Sequence, residues 1–169
     1  MTQITTAINA LDRFIILVIK PVVAVISLFV ALALSFGIYA RSVLETPVFG
    51  LEELILIAAM WLYMLGAVLA SRDRTHLSAD FVQVISKNPK IISGFKLVAT
   101  LISLFMACMF MTWSWDLLAW GLKKGQATTV LQIPWYFSQA SLFVASLLFI
   151  VYLVRDMLND FVEFRLAGK

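Results

Sequence analysis

The sequence predicts an all-α integral membrane protein with four transmembrane helices, and three observations predict it. Of the 169 residues, 62% are hydrophobic and 14% charged, whereas a soluble domain has about half and a quarter. Four apolar runs are each long enough to cross a hydrocarbon core of about 30 Å, which takes roughly 20 helical residues. Lysine and arginine are strongly biased to alternate connections, as they are when cytoplasmic segments retain positive charge. The net charge of +3 therefore reads as membrane topology rather than as nucleic-acid binding.

The first span, residues 15–39, follows Arg13. At about 25 residues it is too long for the apolar region of a cleaved signal peptide and reads as a retained span. Lys20, near its start, can snorkel to the interface because its stem is apolar and its ammonium travels only a short way. The second span, 51–70, comes after Pro47 and Gly50 and opens on Glu52 and Glu53; carboxylates there suit the free N–H groups of a helix start. The third, 97–117, closes on Trp113 and Trp115 with Trp120 just beyond, and the fourth, 135–154, opens on Trp135 and Tyr136. Such rings favour the headgroup level. Pro134 suits the first turn of the fourth helix, where a missing N–H has no partner to lose.

Two further segments have amphipathic helical spacing. In 3–13, Ile4, Ile8 and Leu11 share a face, continued by Ile15; in 78–87, Phe81, Val84 and Ile85 do so after Leu77, with Ser78 as N-cap and Asn88 and Pro89 as the stop. Both read as helices on the cytoplasmic membrane surface, one before the first span and one between the second and third. Residues 1–169 form a single membrane domain. Ten of the thirteen Lys and Arg residues flank the N-terminus, the second connection and the C-terminal tail, against Arg41, Lys123 and Lys124 on the other side. That split predicts both termini inside.

Catalytic and cofactor chemistry find little to work with. Cys108 is the one cysteine and His76 the one histidine. Cys108 sits mid-span and reads as a small packing residue. His76 alone cannot ligate a membrane haem on both faces, although with Asp73 or Asp80 it leaves a metal contact open. Charged residues stand near span ends, and no span is broken at mid-depth by Gly or Pro, so the chain lacks the marks of a transport pathway. It reads better as a scaffold that binds another membrane protein.

The second span suggests how. At 100° per residue Glu52, Ala59, Gly66 and Ala70 fall in one stripe, with Tyr63 beside it. Small residues let another helix approach closely, and in lipid such packing drives association; packing inside the subunit is the other use open to them. Glu53 reads first as an end-capping charge, whereas Glu52 lies on the stripe. Beyond the span, Arg72, His76 and Asp80 are four apart and share a face if the helix continues. Arg41, Asp116, Lys123, Lys124 and Gln126 stand on the outer side as candidate contacts for a periplasmic partner, a solvated surface being the other reading open to them.

The stretch "WLYMLGAVLASRDRTHLSAD" behind two glutamates, together with the later "TTVLQIPWYFSQASLFVASLLFIVY", resembles the small membrane subunit, DctQ type, of tripartite ATP-independent periplasmic (TRAP) transporters. The resemblance covers the whole chain in length, span count and topology, and is sharpest from Glu52 to Asp80 and at Ile133, Pro134 and Trp135. It implies a non-catalytic subunit of the bacterial inner membrane that braces a large membrane subunit of the M type. The large subunit would import an organic acid, of the sialic acid or C4-dicarboxylate class, with a sodium gradient. It also implies a periplasmic substrate-binding protein as second partner and membrane lipids around the spans. No cofactor is expected in this chain, and sodium would be held by the large subunit. The family motif carries onto Glu52 or Glu53, Trp61, Gly66, Ala67, Arg72, His76 and Asp80, with Trp61 and Glu53 joining the candidate interface of the second span. The sequence departs from the pattern at Ser71 and Asp73, with Arg74 displaced by two from Arg72. The alternative function is a membrane anchor of an electron-transfer complex. A third reading, a small exporter coupled through Glu52 or Glu53, needs a mid-membrane carboxylate that neither supplies.

Overall fold

A computed structural model describes residues 2–46, 48–73 and 89–166, and among them it contains four helices and no strand. These are α1 (Thr2–Ser42), α2 (Leu51–Arg72), α3 (Pro89–Lys124) and α4 (Tyr136–Leu166). All four are long and apolar enough to cross a membrane. Each apolar run forms a helix because a chain in hydrocarbon must pair its backbone N–H and C=O groups within itself.

The helices outrun the apolar segments that predict them. The amphipathic 3–13 segment and the 15–39 span are one helix of 41 residues, about 60 Å at the α-helical rise. Pro21 and Gly37 both lie inside it, as membrane helices tolerate. Residue Pro89 is the first of α3, where its missing N–H would have found no intrahelical acceptor. The surface helix expected at 78–87 lies outside the described residues. Pro134 differs from expectation: it precedes α4 by two residues and pairs with Ala127 in an isolated antiparallel bridge. The adjoining Trp135 N–H donates to the Gln126 carbonyl at 2.9 Å, which holds this stretch extended and delays the helix.

The chain divides into two compact units, Met1–Gly66 with Leu118–Ser141 and Ala67–Leu117 with Leu142–Lys169. Within both, the buried positions are mostly small: Ala33, Ala40, Ser138 and Ser141 in the first, Ser93, Ala107, Ser114, Ala145 and Ser146 in the second. Large apolar side chains such as Leu28, Leu32 and Ile38 on α1, and Leu101, Ile102 and Phe105 on α3, are exposed. This is the arrangement expected where the solvent is lipid, since small residues allow close helix approach and large ones lose nothing by facing acyl chains.

In the first unit, the turn from α1 to α2 depends on two left-handed residues, Glu45 at φ 50° and Gly50 at φ 86°. Gly50 precedes α2, and its carbonyl accepts from Leu54 N at 3.3 Å. A Cβ at Gly50 would lie 2.7 Å from Leu131 Cγ, so both conformation and space call for glycine. In the second unit α3 and α4 run antiparallel. Ser114 and Ser146 hydroxyls meet at 3.3 Å, Thr100 meets Asp160, and Lys96 meets Glu163.

Candidate functional site

Among the described residues, three groups carry the polar and open features. The first is a clamp at the start of α2. The 125–135 loop folds back on itself, Thr128 N donating to the Ile133 carbonyl at 2.9 Å and Ile133 N to Thr128 Oγ1 at 3.0 Å. Gly125 and Gln132 take left-handed backbone to close it. Its tip is held by Glu53. Val130 N and Leu131 N donate to the two carboxylate oxygens at 2.8 and 2.9 Å, and Thr129 Oγ1 donates at 3.0 Å. Successive N–H groups converging on one carboxylate form an anion nest, so Glu53 occupies a site made by its own chain. Trp61 adds a second tie: its indole Nε1 donates to the Phe137 carbonyl at 3.0 Å, at the start of α4.

Glu52, one residue away, does something else. Its Oε1 accepts from Arg41 Nη2 at 2.7 Å, and the two side chains are 77% and 72% exposed. Further along α2, Tyr63 is 68% exposed. A Cβ at Gly66 would meet nothing within 4 Å, while Ala59 and Ala70 are half-buried. Glu52, Leu56, Ala59, Tyr63 and Gly66 succeed one another at alternating steps of four and three, the spacing by which one helix face meets another at a shallow left-handed crossing.

The third group lies in the second unit and was not singled out by sequence. Asp156 and Asp160 are buried one turn apart on α4. Arg155 donates from Nε to Asp156 Oδ1 at 2.9 Å and from Nη2 to the Arg72 carbonyl at 3.0 Å, and Nη2 forms the ion pair with the same Oδ1 at 2.8 Å. Its guanidinium lies 5.1 Å from the centre of the Tyr152 ring. Arg155 thus caps the end of α2 with the donors that the last carbonyls of a helix need. Asp160 accepts from Thr100 Oγ1 at 2.6 Å, and Glu163 pairs with Lys96 Nζ at 3.1 Å. The signal available in the sequence was the pair of acids four apart beside an arginine, at the end of an apolar run.

Among the remaining sequence candidates, Arg72 pairs with Asp73 at 2.6 Å. Asp116, Lys123, Lys124 and Gln126 are exposed. Arg74, His76 and Asp80 lie outside the described residues. Among the described residues no three of His, Cys, Asp and Glu are gathered as metal ligands would be. What the arrangement can do is hold a rigid loop, tie its own helices and present an open helix face.

A family model described as tripartite ATP-independent periplasmic transporters, DctQ component, matches residues 30–163. That stretch contains the Glu53 clamp, the open face of α2 and the Arg155 group. Comparison with curated proteins gives no match, and neither does comparison with solved structures.

Proposed function

The chain belongs to the DctQ component family of tripartite ATP-independent periplasmic transporters, and on that premise we propose that it is the static subunit bracing the large membrane subunit of an organic-acid importer. As a member it is a transporter subunit and not an enzyme, a multi-pass protein of the inner membrane. The family works with a large membrane partner and a periplasmic binding protein. The family match is the observation that carries the reading, and it displaces the electron-transfer anchor.

The finer assignments are ours. The large subunit carries substrate and a sodium gradient drives it, the substrate being an organic acid of the sialic acid or C4-dicarboxylate class. Both termini are cytoplasmic, in keeping with the ten-to-three division of basic residues. The 125–135 loop, with Gln126 in it and Lys123 and Lys124 just before it, then faces the periplasm, where a loop pinned by Glu53 offers the binding protein a fixed surface. The face of α2 at Ala59, Tyr63 and Gly66 receives a helix of the large subunit. Open space at Gly66 supports this, because a partner backbone can come closest there. A phenol at the middle of a span supports it too, since its hydroxyl gains from an acceptor that lipid tails lack.

Gly66→Leu tests the face. A Cβ at Gly66 meets nothing within 4 Å and leucine raises helix propensity over glycine by roughly 0.5–1 kcal/mol, so we expect the isolated subunit to stay folded. We expect co-purification with the large subunit in mild detergent to fall at least about tenfold, the effect of some 1.4 kcal/mol. Undiminished co-purification of Gly66→Leu would remove α2 as the interface. Elution of the unaltered chain alone would overturn the bracing role itself.

A further inference from the structure

The two glutamates at the start of α2 differ in what they leave available. Glu53 spends both carboxylate oxygens on the loop. Glu52 gives one oxygen to one nitrogen of Arg41, and the other oxygen and remaining guanidinium donors have no hydrogen bond among the described residues. So exposed a pair adds little to stability, typically about 0–1 kcal/mol. Its position is more informative than its strength. Arg41 stands in the last turn of α1 and Glu52 in the first turn of α2, at the level where two neighbouring spans leave the hydrocarbon for the headgroups.

Below the pair lies a half-open groove of about 300 Å³ between the two helices, walled by Leu34, Gly37, Ile38, Leu51 and Ile55. It is about twice the ~150 Å³ cavity that admits a benzene ring, enough for a run of methylenes. Gly37 lies in its wall close against Leu51: a Cβ there would lie 3.1 Å from Leu51 Cδ2, so a side chain at this position has to push on the groove wall. On the other side a second groove, of about 430 Å³, has the same Arg41 and Glu52 on its rim. The ion pair is therefore the shared edge of two clefts.

We propose that Arg41 and Glu52 bind the headgroup of one aminophospholipid of the phosphatidylethanolamine class, with an acyl chain in the α1–α2 groove. The charges fit in sign and order. Arginine's planar fork suits a phosphate and has donors to spare while it holds Glu52. The Glu52 carboxylate, acceptor-only when ionised, takes N–H bonds from the primary ammonium, which a quaternary choline cannot give. The site needs only that α1 and α2 lie in a bilayer, so it does not depend on the bracing role.

The test is native mass spectrometry of the full chain, purified in mild detergent, stripped of lipid and titrated with phosphatidylethanolamine or chain-matched phosphatidylcholine. We expect one ethanolamine lipid bound about tenfold more tightly than the choline lipid, as one charge-assisted hydrogen bond set would give. Glu52→Gln should abolish that preference, Arg41→Gln should weaken both lipids, and Lys124→Gln should change neither. Gly37→Val should lower both by filling the groove; if it fails to fold by circular dichroism, the two charge variants still decide. Equal binding of both lipids by the unaltered chain, or a preference that survives Glu52→Gln, overturns the site. So does unchanged lipid binding by Arg41→Gln and Glu52→Gln combined with their loss from the large subunit, which makes the pair a protein contact.

Discussion

Replacing Thr100 with valine removes one hydroxyl from the α3–α4 contact while keeping its shape. That hydroxyl donates to Asp160 Oδ2 at 2.6 Å, and Asp160 is 2% exposed. A hydrogen bond this short to a carboxylate belongs to the strong, charge-assisted class. In water-soluble proteins such bonds contribute about 1.5–3 kcal/mol. Bonds between membrane helices average nearer 0.6 and reach about 1.7, because separated helices in a bilayer find other partners. Asp160 is ionisable and nearly fully enclosed, so the upper end of the membrane range applies: about 1.5 kcal/mol, or some tenfold in the unfolding equilibrium. Thr100→Ser retains the donor and should stay within about 0.5 kcal/mol, the ordinary scatter of a mild substitution. Reversible unfolding of the full chain in mixed micelles by stepwise addition of dodecyl sulfate, followed by tryptophan fluorescence, measures both. A Thr100→Val chain as stable as the unaltered one, or a serine variant as weak as the valine one, would refute the claim that this bond secures the pair of helices.

Two other substitutions probe the remaining ties. Arg155→Ala should cost about 3–5 kcal/mol in the same unfolding assay, since it strips a buried carboxylate of its cation; adding Asp156→Ala should recover part of that loss. Full additivity would mean that the two do not act as a pair. Glu53→Ala should leave the helices intact but speed amide hydrogen exchange at Val130 and Leu131, which lose their acceptors, with the amides of α4 unaffected. Unaltered exchange at those two amides would show that the loop holds itself.

What the sequence made legible was set by hydropathy and by residue type. Four spans are readable because hydrocarbon forces about 20 apolar residues into a helix. Their ends are not, because a helix continues past the membrane wherever its backbone goes on pairing. The run 97–117 lies within Pro89–Lys124, and 135–154 became Tyr136–Leu166. Glu52 and Glu53 look alike as first-turn acids, yet a loop more than 75 residues away separates them: Thr129, 76 positions beyond Glu53, brings the nest to one and leaves the other exposed. In the sequence Arg155 is one more basic residue of the C-terminal tail, whereas its contact with the carbonyl of Arg72, made while it pairs with Asp156, arises only where α4 meets the end of α2. Trp61, a candidate interface residue of α2, also gives its indole N–H to the Phe137 carbonyl of its own chain, a contact that helical spacing does not reveal.

The most direct measurement of the central claim is uptake of a labelled organic acid into proteoliposomes under an inward sodium gradient, with the periplasmic binding protein outside. The account predicts uptake when the large subunit and this chain are both in the bilayer, and none with either alone. Uptake by the large subunit and binding protein without this chain, at the rate of the complete system, would contradict it, as would uptake by this chain alone.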